Sequence, residues 1–385
     1  MSLVIGTSGW SYDDWVGPFY DKKGGKLTYY TKFFMTSEIN STFYRFPSKG
    51  LIQGLLKVAP PGFIFASKLP GKITHEKWLS LDQGVEDDTW RFLEVMRPLA
   101  EKLGPILIQL RPKFNFSEHL ANLEDFLEIV PKNYEWAVEF RDKSWLDTET
   151  FKLLEKHEAA YTIVDEPLLP PVTRVTTDFS YIRWHGHGKR LWYDYEYNKS
   201  ELKEWIPRIN EVETKTKRVY GYFNNHYGAN AVKNAVEFLD LLKISTIPQK
   251  SVLDKIKNYR IKEKKDYKIH SLESFNIEEN GLSVPDYLNS LTTHTRLSRA
   301  EKIPDEDVEI FEISDILIEG KVKNYKFRID SNERVLEHKC ADWEKGRKSK
   351  RLCKHINKVF LVLPPTLARK IIKNISESLD DWKFI

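Results

Sequence analysis

The chain has 385 residues, with 60 Lys and Arg against 56 Asp and Glu, two cysteines, and 41% hydrophobic residues. This length suits two or three domains with real cores, and the apolar content excludes a disordered chain. No apolar run approaches the roughly 18 residues of a membrane-spanning helix, and two cysteines cannot build a disulfide framework. Because the N-terminus shows no basic, apolar leader, we expect a cytoplasmic protein that does not contact membranes.

Short apolar runs of β type recur through the first 225 residues and alternate with helix-like stretches. Eight strands alternating with helices have the size and rhythm of a (β/α)8 barrel of the TIM type. A doubly wound sheet would show the same alternation of strands and helices, so only the number of strands, eight, distinguishes a barrel from it. The predicted strands are Leu3–Gly6, Ser37–Asn40, Phe63–Lys68, Ile106–Leu110, Trp136–Phe140, Tyr161–Asp165, Tyr181–Trp184 and Val219–Phe223.

Polar and charged residues occupy the predicted strand ends, where barrel enzymes build their active sites. An ionised group inside a barrel is costly unless it is paired, so we expect a mutually satisfied cluster at the mouth. A salt-bridge network that only plugs the barrel is the structural alternative. The predicted catalytic residues are Glu139, His185, Lys68, Arg141, Arg183, Glu38 and Asp165. The predicted substrate-binding residues are Asn40, Tyr44, His75, Gln109, Asn224, Asn225 and Trp10.

The residue types at the mouth suggest roles in binding an anion and moving a proton. Three basic residues could clamp a phosphate or carboxylate, and Glu139 or His185 could activate water. Aromatic side chains in or near the mouth loops could stack on bases, although loop packing is their more common use. They are Trp10, Tyr12, Trp15, Phe43, Tyr44 and Trp145. A metal ion in the barrel is left open, with candidate ligands His75, Glu139, Asp165, His185, His187 and His226.

The alternation of strand-like and helix-like stretches ends near residue 245. We predict a barrel over 1–245, a linker or helical and polar segment over 246–310, and a smaller α+β zinc-binding domain over 311–385. Strands are predicted at Phe311–Ile318, Lys321–Ile329 and Val335–Cys340, and helices at Lys354–Leu363 and Ala368–Leu379.

Both cysteines fall in one pattern, in which twelve residues separate His338-Lys339-Cys340 from Cys353-Lys354-His355. Four such ligands suit tetrahedral zinc, and alternate residues of a strand face the same side. We therefore predict a structural zinc ion held by His338, Cys340, Cys353 and His355. Two free thiols with histidines nearby are the alternative.

A basic segment lies between the two ligand pairs. Residues 321–358 contain 13 basic and five acidic side chains, which would attract a polyanion. The residues predicted to bind DNA are Lys345, Arg347, Lys348, Lys350 and Arg351. A solvated basic surface without a partner is the alternative.

Several of these motifs, in order and spacing, carry a family resemblance. They are Ile5-Gly6-Thr7-Ser8-Gly9-Trp10, Glu38-Ile39-Asn40-Ser41-Thr42-Phe43-Tyr44, Val138-Glu139-Phe140-Arg141 and Tyr222-Phe223-Asn224-Asn225. They resemble the YecE-like, domain-of-unknown-function 72 family over roughly residues 1–243, which implies a TIM-type barrel without a settled activity. That barrel is broadly similar to the xylose-isomerase and endonuclease-four type, which implies a role on nucleic acid. The His–Cys pattern resembles the SWIM zinc finger, with His338 as its first ligand, and SWIM domains are thought to bind DNA or proteins.

Three functional hypotheses follow. The first is a nucleic-acid enzyme in DNA repair or processing, a hydrolase of nuclease type, whose zinc module grips DNA. The second is a barrel enzyme on a small phosphorylated or sugar-like substrate, with the zinc module contacting a protein partner. The third is a nucleic-acid-binding protein without catalysis.

Overall fold

Eight parallel strands close into a barrel in which each strand pairs with its neighbours in chain order and the last pairs with the first. The computed structural model describes residues 3–188, 191–273, 283–314 and 316–385. The strands β1 to β8 are Leu3–Ser8, Thr36–Ile39, Ile64–Lys68, Leu103–Gln109, Trp136–Glu139, Ala160–Asp165, Phe179–Trp184 and Arg218–Phe223. This topology confirms the predicted (β/α)8 barrel.

Helices follow the strands and cover the barrel. The helices α1 to α9 are Lys26–Tyr30, Ser41–Tyr44, Lys49–Val58, Val85–Met96, Phe116–Ile129, Thr148–Lys156, Lys199–Glu213, Asn230–Leu241 and Ile247–Glu273. Polar side chains fix where several of them begin, because they satisfy backbone N–H groups that the first helical turn leaves unpaired. Asn115 caps α5, Asp147 caps α6, and Asn198 forms a capping box with Glu201 in α7.

The barrel interior is apolar in its lower layers and charged above them. Small and aromatic side chains fill the amino-terminal half of the interior, namely Ala66, Leu107, Ala137, Ala160, Phe179, Tyr181, Tyr220 and Tyr222. Successive residues of a strand alternate between the interior and the helix layer. The residues two and four positions further along each strand therefore continue the same column toward the mouth.

A second compact unit spans residues 272–385, and the boundary falls inside the segment predicted as a linker. Its helices α10 to α14 are Val284–Leu291, His294–Glu301, Ala341–Gly346, Lys354–Val362 and Pro365–Glu377. Its strands β9 to β13 are Val308–Ile313, Leu317–Val322, Tyr325–Asp330, Val335–His338 and Lys383–Phe384. They form one sheet in the order β13-β12-β11-β10-β9. Residues 274–282 of the predicted linker lie outside the described residues.

Two predicted strands of this unit were wrong in their limits. The stretch Phe311–Ile318 contains the end of β9, a turn and the start of β10, and Lys321–Ile329 contains the hairpin between β10 and β11. The turn between β10 and β11, Lys323 and Asn324, contains neither glycine nor proline, so the pattern alone did not reveal this hairpin. The helices predicted at 354–363 and 368–379 correspond to α13 and α14, although α14 begins three residues earlier. No helix among the described residues is long and apolar enough to cross a membrane.

Candidate active site and candidate metal centre

A buried arginine lies at the centre of the barrel mouth. Arg183 on β7 donates from Nη1 to Glu139 Oε2 at 2.7 Å and from Nη2 to Glu38 Oε1 at 2.8 Å. All three side chains are fully buried. Ser8 Oγ also accepts from Arg183 Nη2 and bonds to Glu38, while Tyr181 donates to the second Glu38 oxygen at 2.7 Å. Strands β1, β2, β5 and β7 thus contribute to one network.

A second arginine extends this network toward solvent. Arg141 donates from Nε to Glu139 Oε1 at 2.7 Å and from Nη1 to Glu166 Oε2 at 2.7 Å. Arg141 Nη2 lies 3.2 Å from His185 Nε2 and, as a guanidinium nitrogen, can only donate to it. The Asn224 side-chain amide lies 2.9 Å from His185 Nδ1, and Glu139 Oε1 is 3.5 Å from Nε2. The structure therefore brings together most of the residues predicted as catalytic.

The charges of the network decide which groups can exchange protons near neutrality. Burial alone would raise the pKa of Glu139, but Arg141 and Arg183 outweigh it and hold that pKa well below its usual range. Burial, with the nearby Arg141 charge, lowers the pKa of His185 to about 3. Glu139 is thus a fixed anion and His185 is neutral, so both are weaker bases than the sequence suggested.

Glu166 is the member of the network that the sequence analysis missed. It directly follows β6, is 3% exposed, and its Oε1 is buried without a hydrogen-bond partner among the described residues. Burial raises its pKa, and Arg141 opposes that rise. A carboxyl group with a raised pKa and one unsatisfied oxygen is suited to donate or accept a proton.

Lys68 is a cation of the mouth that lacks a direct acidic partner among the described residues, as is Arg111, which donates to the His75 carbonyl. Lys68 is half-buried at the end of β3, and its Nζ lies 5.5 Å from the centre of the Phe43 ring. Burial, with repulsion from Arg183, lowers the pKa of Lys68 to about 8. At neutral pH it therefore remains mostly protonated and available to an anion.

Two predicted site residues point away from the network. The Asp165 carboxylate bonds to His187 Nε2 at 2.8 Å and to Trp205 Nε1 at 3.1 Å, on the helix side of β6. Asn225 is fully buried and donates to the Tyr195 carbonyl and to Asn234. Asp165 as a catalytic group and Asn225 as a substrate ligand are therefore corrected: both side chains connect β6 and β8 to the surrounding layer.

The remaining predicted binding residues border the mouth. Asn40 donates to the Ser8 carbonyl at 2.9 Å, and Gln109 lies 3.5 Å from Arg183. His75 packs edge-on against Phe43 next to Lys68, and burial lowers its pKa to about 3. Tyr44 is 42% exposed, and Trp10 is half-buried against Phe65.

Trp15 and Trp145, which the sequence placed near the mouth loops, are fully buried. They cannot stack on a ligand in this structure.

The barrel mouth offers no preformed metal site within the described ranges. The two groups of His, Cys, Asp or Glu whose ligand atoms converge lie elsewhere, and one of them is the partly exposed set Glu124, Glu128 and His157. At the mouth, the carboxylates of Glu38 and Glu139 accept from arginines instead. Their pairing explains why the candidate ligands predicted for a barrel metal do not assemble.

The other group is the predicted metal centre of the second unit. His338, Cys340, Cys353 and His355 are all buried, and their ligand atoms lie within 4.8 Å of one another. His338 ends β12, Cys340 precedes α12, and Cys353 precedes α13. We call these four residues the His–Cys cluster.

The ring nitrogens of the His–Cys cluster are arranged for a metal ion. His338 Nδ1 is 2.8 Å from the Lys326 carbonyl, so it carries a proton and leaves Nε2 for a ligand. That Nε2 and the Nδ1 of His355 are buried without hydrogen-bond partners among the described residues. Cys340 Sγ accepts a hydrogen bond from the Trp343 N–H at 3.2 Å. The pKa of Cys340 is lowered, mainly by a hydrogen bond with the Cys353 thiol. Two nitrogens and two sulfurs suit zinc.

The basic segment between the ligand pairs forms α12 and a short turn of helix rather than a loop. Lys350 and Arg351 donate to backbone carbonyls of the same unit, and Arg347 pairs with Glu344. Lys345 and Lys348 are exposed. Much of the basic charge predicted to contact DNA is thus used inside the unit.

The fold and the mouth define a (β/α)8 barrel protein with a charged, internally paired site at the carboxyl ends of its strands. A family model described as "Protein of unknown function DUF72" matches residues 4–255, and the chain belongs to that family. The resemblance inferred from the barrel motifs is thereby confirmed. The match does not extend into the second unit, where the SWIM resemblance stays a prediction.

Relatives of known sequence and structure agree with this assignment. The chain is 26% identical to the UPF0759 protein YunF of Bacillus subtilis over 268 residues, 63% of this chain and 95% of that protein. A DUF72 family protein (TM1631) from Thermotoga maritima is 35% identical with a TM-score of 0.58, covering 63% of this chain and 100% of that one. Another (EF0366) from Enterococcus faecalis shares the fold, with 24% identity, a TM-score of 0.57 and coverage of 63% and 96%.

Proposed function

We propose that the barrel is a hydrolase of phosphate esters and that nucleic acid, DNA foremost, is its substrate. The observation that carries this proposal is Lys68, a half-buried cation without a direct acidic partner among the described residues, beside a buried network of arginines and carboxylates. A phosphate is an anion that a lysine binds as a point charge, and a cation placed beside it offsets the charge of phosphoryl transfer. Tyr44 and His75 border the same position.

In the step that we propose, Lys68 binds the phosphate and offsets the charge that develops on it. Water forms the new bond to phosphorus as the ester P–O bond breaks. Glu166, when protonated, gives its proton to the leaving oxygen and regains one from the attacking water, so that protons balance. Glu139, held as an anion by its arginines, positions Arg141, which in turn orients Glu166.

We further propose that the His–Cys cluster binds a structural zinc ion and that the second unit is a SWIM-type module that contacts DNA. The two unsatisfied ring nitrogens and two buried thiols support this assignment. Replacing Cys353 by Ser should abolish zinc in metal analysis of the purified protein. Zinc retained in full by this variant would contradict the assignment.

A small phosphorylated substrate is the second candidate, because Arg183 is fully buried and Arg141 only 8% exposed. A small molecule or a single extruded nucleotide can reach side chains at that depth more easily than a duplex can. In this case the second unit would contact a protein instead.

The test compares Lys68→Met with the charge-conserving Lys68→Arg. The substrates are bis-p-nitrophenyl phosphate, p-nitrophenyl phosphate, and DNA carrying abasic, deaminated or nicked positions. We expect Lys68→Met to raise KM, Lys68→Arg to retain binding, and Glu166→Gln to lower kcat. Wild-type binding should weaken as the pH rises through about 8, since Lys68 then loses its charge, and Lys68→Arg should remove that dependence.

Hydrolysis of the monoester with no action on DNA would favour the small-substrate candidate. Binding of DNA without hydrolysis of any substrate would favour a nucleic-acid-binding protein without catalysis. Full activity in both Lys68→Met and Glu166→Gln would overturn the proposed site.

A further inference from the structure

Most polar atoms of the barrel mouth are paired with one another, so the unpaired ones indicate where a ligand binds. Glu166 Oε1 is buried without a hydrogen-bond partner among the described residues. Lys68 Nζ and the Tyr193 hydroxyl also form no hydrogen bond or ion pair within those residues. Because β3 and β7 are on opposite sides of the barrel, a ligand between Lys68 at the end of β3 and Tyr193 after β7 would lie over its centre.

Tyr193 lies in the loop that joins β7 to α7, and this loop folds back over its own start. Gly186 has a φ of 92°, and a Cβ there would lie 2.3 Å from the Trp192 carbonyl oxygen. The close return of the chain therefore requires glycine at this position. The Gly186 N–H donates to the Tyr197 hydroxyl at 2.9 Å, which fixes the base of the loop. The loop thus holds Tyr193 in a defined place.

The half-buried Tyr193 ring stands beside the paired network. Its centre lies 5.8 Å from that of the His185 ring, and the two rings meet edge-on. Arg141 Nη2 is 3.2 Å from Nε2 of the same histidine, so one ring separates the tyrosine from the network. Burial raises the pKa of Tyr193, and the Arg141 charge opposes that rise. The hydroxyl therefore keeps its proton near neutral pH and can donate a hydrogen bond to an anion.

The charges of the network match a ligand with one negative charge. Lys68, Arg141 and Arg183 carry three positive charges. Glu38 and Glu139, which accept from the arginines, carry two negative charges. One positive charge is left over in this set of five side chains. A ligand with two negative charges would place the second at a largely buried position without a cation of this set to balance it, which is costly.

Other ionisable groups around the mouth do not supply the missing cation. Burial raises the pKa of Glu166, which is neutral when protonated and adds a negative charge when ionised. Asp165 is paired with His187 at 2.8 Å on the helix side of β6. Arg111 is already engaged over the Trp78 ring, with its guanidinium carbon 5.0 Å from the ring centre.

We propose that the mouth binds the monoanion of a phosphate diester, with one non-bridging oxygen on Lys68 Nζ and the other on the Tyr193 hydroxyl. A diester carries one negative charge shared by these two oxygens, which matches one cation and one neutral donor. A phosphate monoester near neutral pH carries about 1.5 to 2 negative charges. This inference rests on the proposed function and selects the diester from the two substrate classes considered there.

The first experiment measures binding of two matched probes to the full chain by titration calorimetry near neutral pH. Methyl phenyl phosphate is a diester with one negative charge, and phenyl phosphate is the corresponding monoester. They differ by one methyl group, so the ring and nearly all of the size are the same. We expect wild type to bind methyl phenyl phosphate about tenfold more tightly. Equal or tighter binding of phenyl phosphate would overturn the diester assignment and leave the phosphate site standing.

The second experiment tests the hydroxyl with Tyr193→Phe, which keeps the ring against His185. The control is Tyr134→Phe, at a half-buried tyrosine before β5, whose hydroxyl likewise forms no hydrogen bond within the described part of the chain. Tyr134 lies at the amino-terminal end of the barrel, away from the mouth. We expect Tyr193→Phe to weaken binding of methyl phenyl phosphate about tenfold and Tyr134→Phe to leave it unchanged. Circular dichroism should match wild type in both variants.

The outcomes separate this inference from the function on which it rests. Unchanged binding in Tyr193→Phe, or an equal loss in both variants, would overturn the tyrosine contact while the proposed phosphate site stands. If wild type binds neither probe, the proposed phosphate site and this inference fail together.

Discussion

The barrel mouth and the His–Cys cluster differ in how far their own side chains satisfy one another. At the mouth, Glu139 is paired with two buried arginines at 2.7 Å. In the cluster, His338 Nε2 and His355 Nδ1 are buried with no partner among the described residues. A buried polar atom without a partner costs free energy, whereas a paired one does not. The mouth therefore satisfies most of its own charges before any ligand binds, with Glu166 Oε1 left unpaired among the described residues, and we expect the second unit to depend on an ion for its stability.

The sharpest test of this contrast replaces a ligand of the cluster. We expect His338→Gln to lose zinc and to unfold the second unit, because structural zinc supplies an apparent binding free energy of about 10–16 kcal/mol. Metal analysis and near-ultraviolet circular dichroism, which reports the buried Trp343 and Trp382, measure the two effects. His294→Gln, at an exposed histidine of the same unit, should change neither. A zinc-free His338→Gln variant with an unchanged spectrum would show that the unit folds without metal.

At the mouth, the corresponding change is Glu139→Gln. Each arginine loses one of its two carboxylate partners, and removing one partner of a buried ion pair costs about 3–5 kcal/mol. Denaturant unfolding measures the loss. The control is Glu211→Gln, whose pair with Lys215 is exposed and should cost less than about 1 kcal/mol. Equal losses of unfolding free energy for Glu139→Gln and Glu211→Gln would contradict the claim that buried ion pairs stabilise the mouth.

The same carboxylate makes the stability of the barrel sensitive to acid. Since the folded pKa of Glu139 lies well below its usual value of 4.5, its contribution is full above that pH and is lost as the pH falls further. The difference in unfolding free energy between wild type and Glu139→Gln should shrink by about 1.4 kcal/mol per pH unit in that window. Urea unfolding at a series of acid pH values measures the difference. If the difference in unfolding free energy stayed constant as the pH falls, the arginines would not be what lowers the pKa of Glu139.

Glu166 should give the smallest stability effect of the set, although it contacts the same Arg141. Its pKa is raised by burial, so the folded state disfavours its charge, and a neutral glutamine resembles the protonated form. We expect Glu166→Gln to lower the unfolding free energy in denaturant titrations by less than Glu139→Gln does. A loss as large as that of Glu139→Gln would mean that Glu166 serves the structure rather than proton transfer.

The eight strands and most mouth residues were predictable, because short stretches of sequence already show the apolar strands and their alternation with helices. Assigning the correct side of each strand was harder, since a shift of one residue moves a side chain to the opposite side. Ala160 faces the barrel interior, so Glu166 belongs to the interior column and Asp165 does not. The same parity from Tyr220 places Asn224 inside and Asn225 outside. Small and aromatic interior residues were the signal that could have found Glu166.

The hairpin between β10 and β11 could not be read in the same way. Its two-residue turn, Lys323 and Asn324, contains no glycine, although Lys323 has a φ of 56°. Asn–Gly or Asp–Gly is the usual signal of such a turn. That His338, Cys340, Cys353 and His355 lie together was predictable, because thiols and imidazoles in paired spacing have few other uses. Which nitrogen of the His338 ring is left for a ligand depends on the Lys326 carbonyl of a neighbouring strand, which the sequence does not reveal.

Hydrogen–deuterium exchange of the purified protein, before and after removal of metal with a chelator, tests the contrast most directly. We predict that backbone amides of residues 283–385 lose protection on chelation and regain it with added zinc, while strands β1 to β8 stay protected. Protection that is unchanged in the second unit, or lost equally in the barrel, would contradict the account.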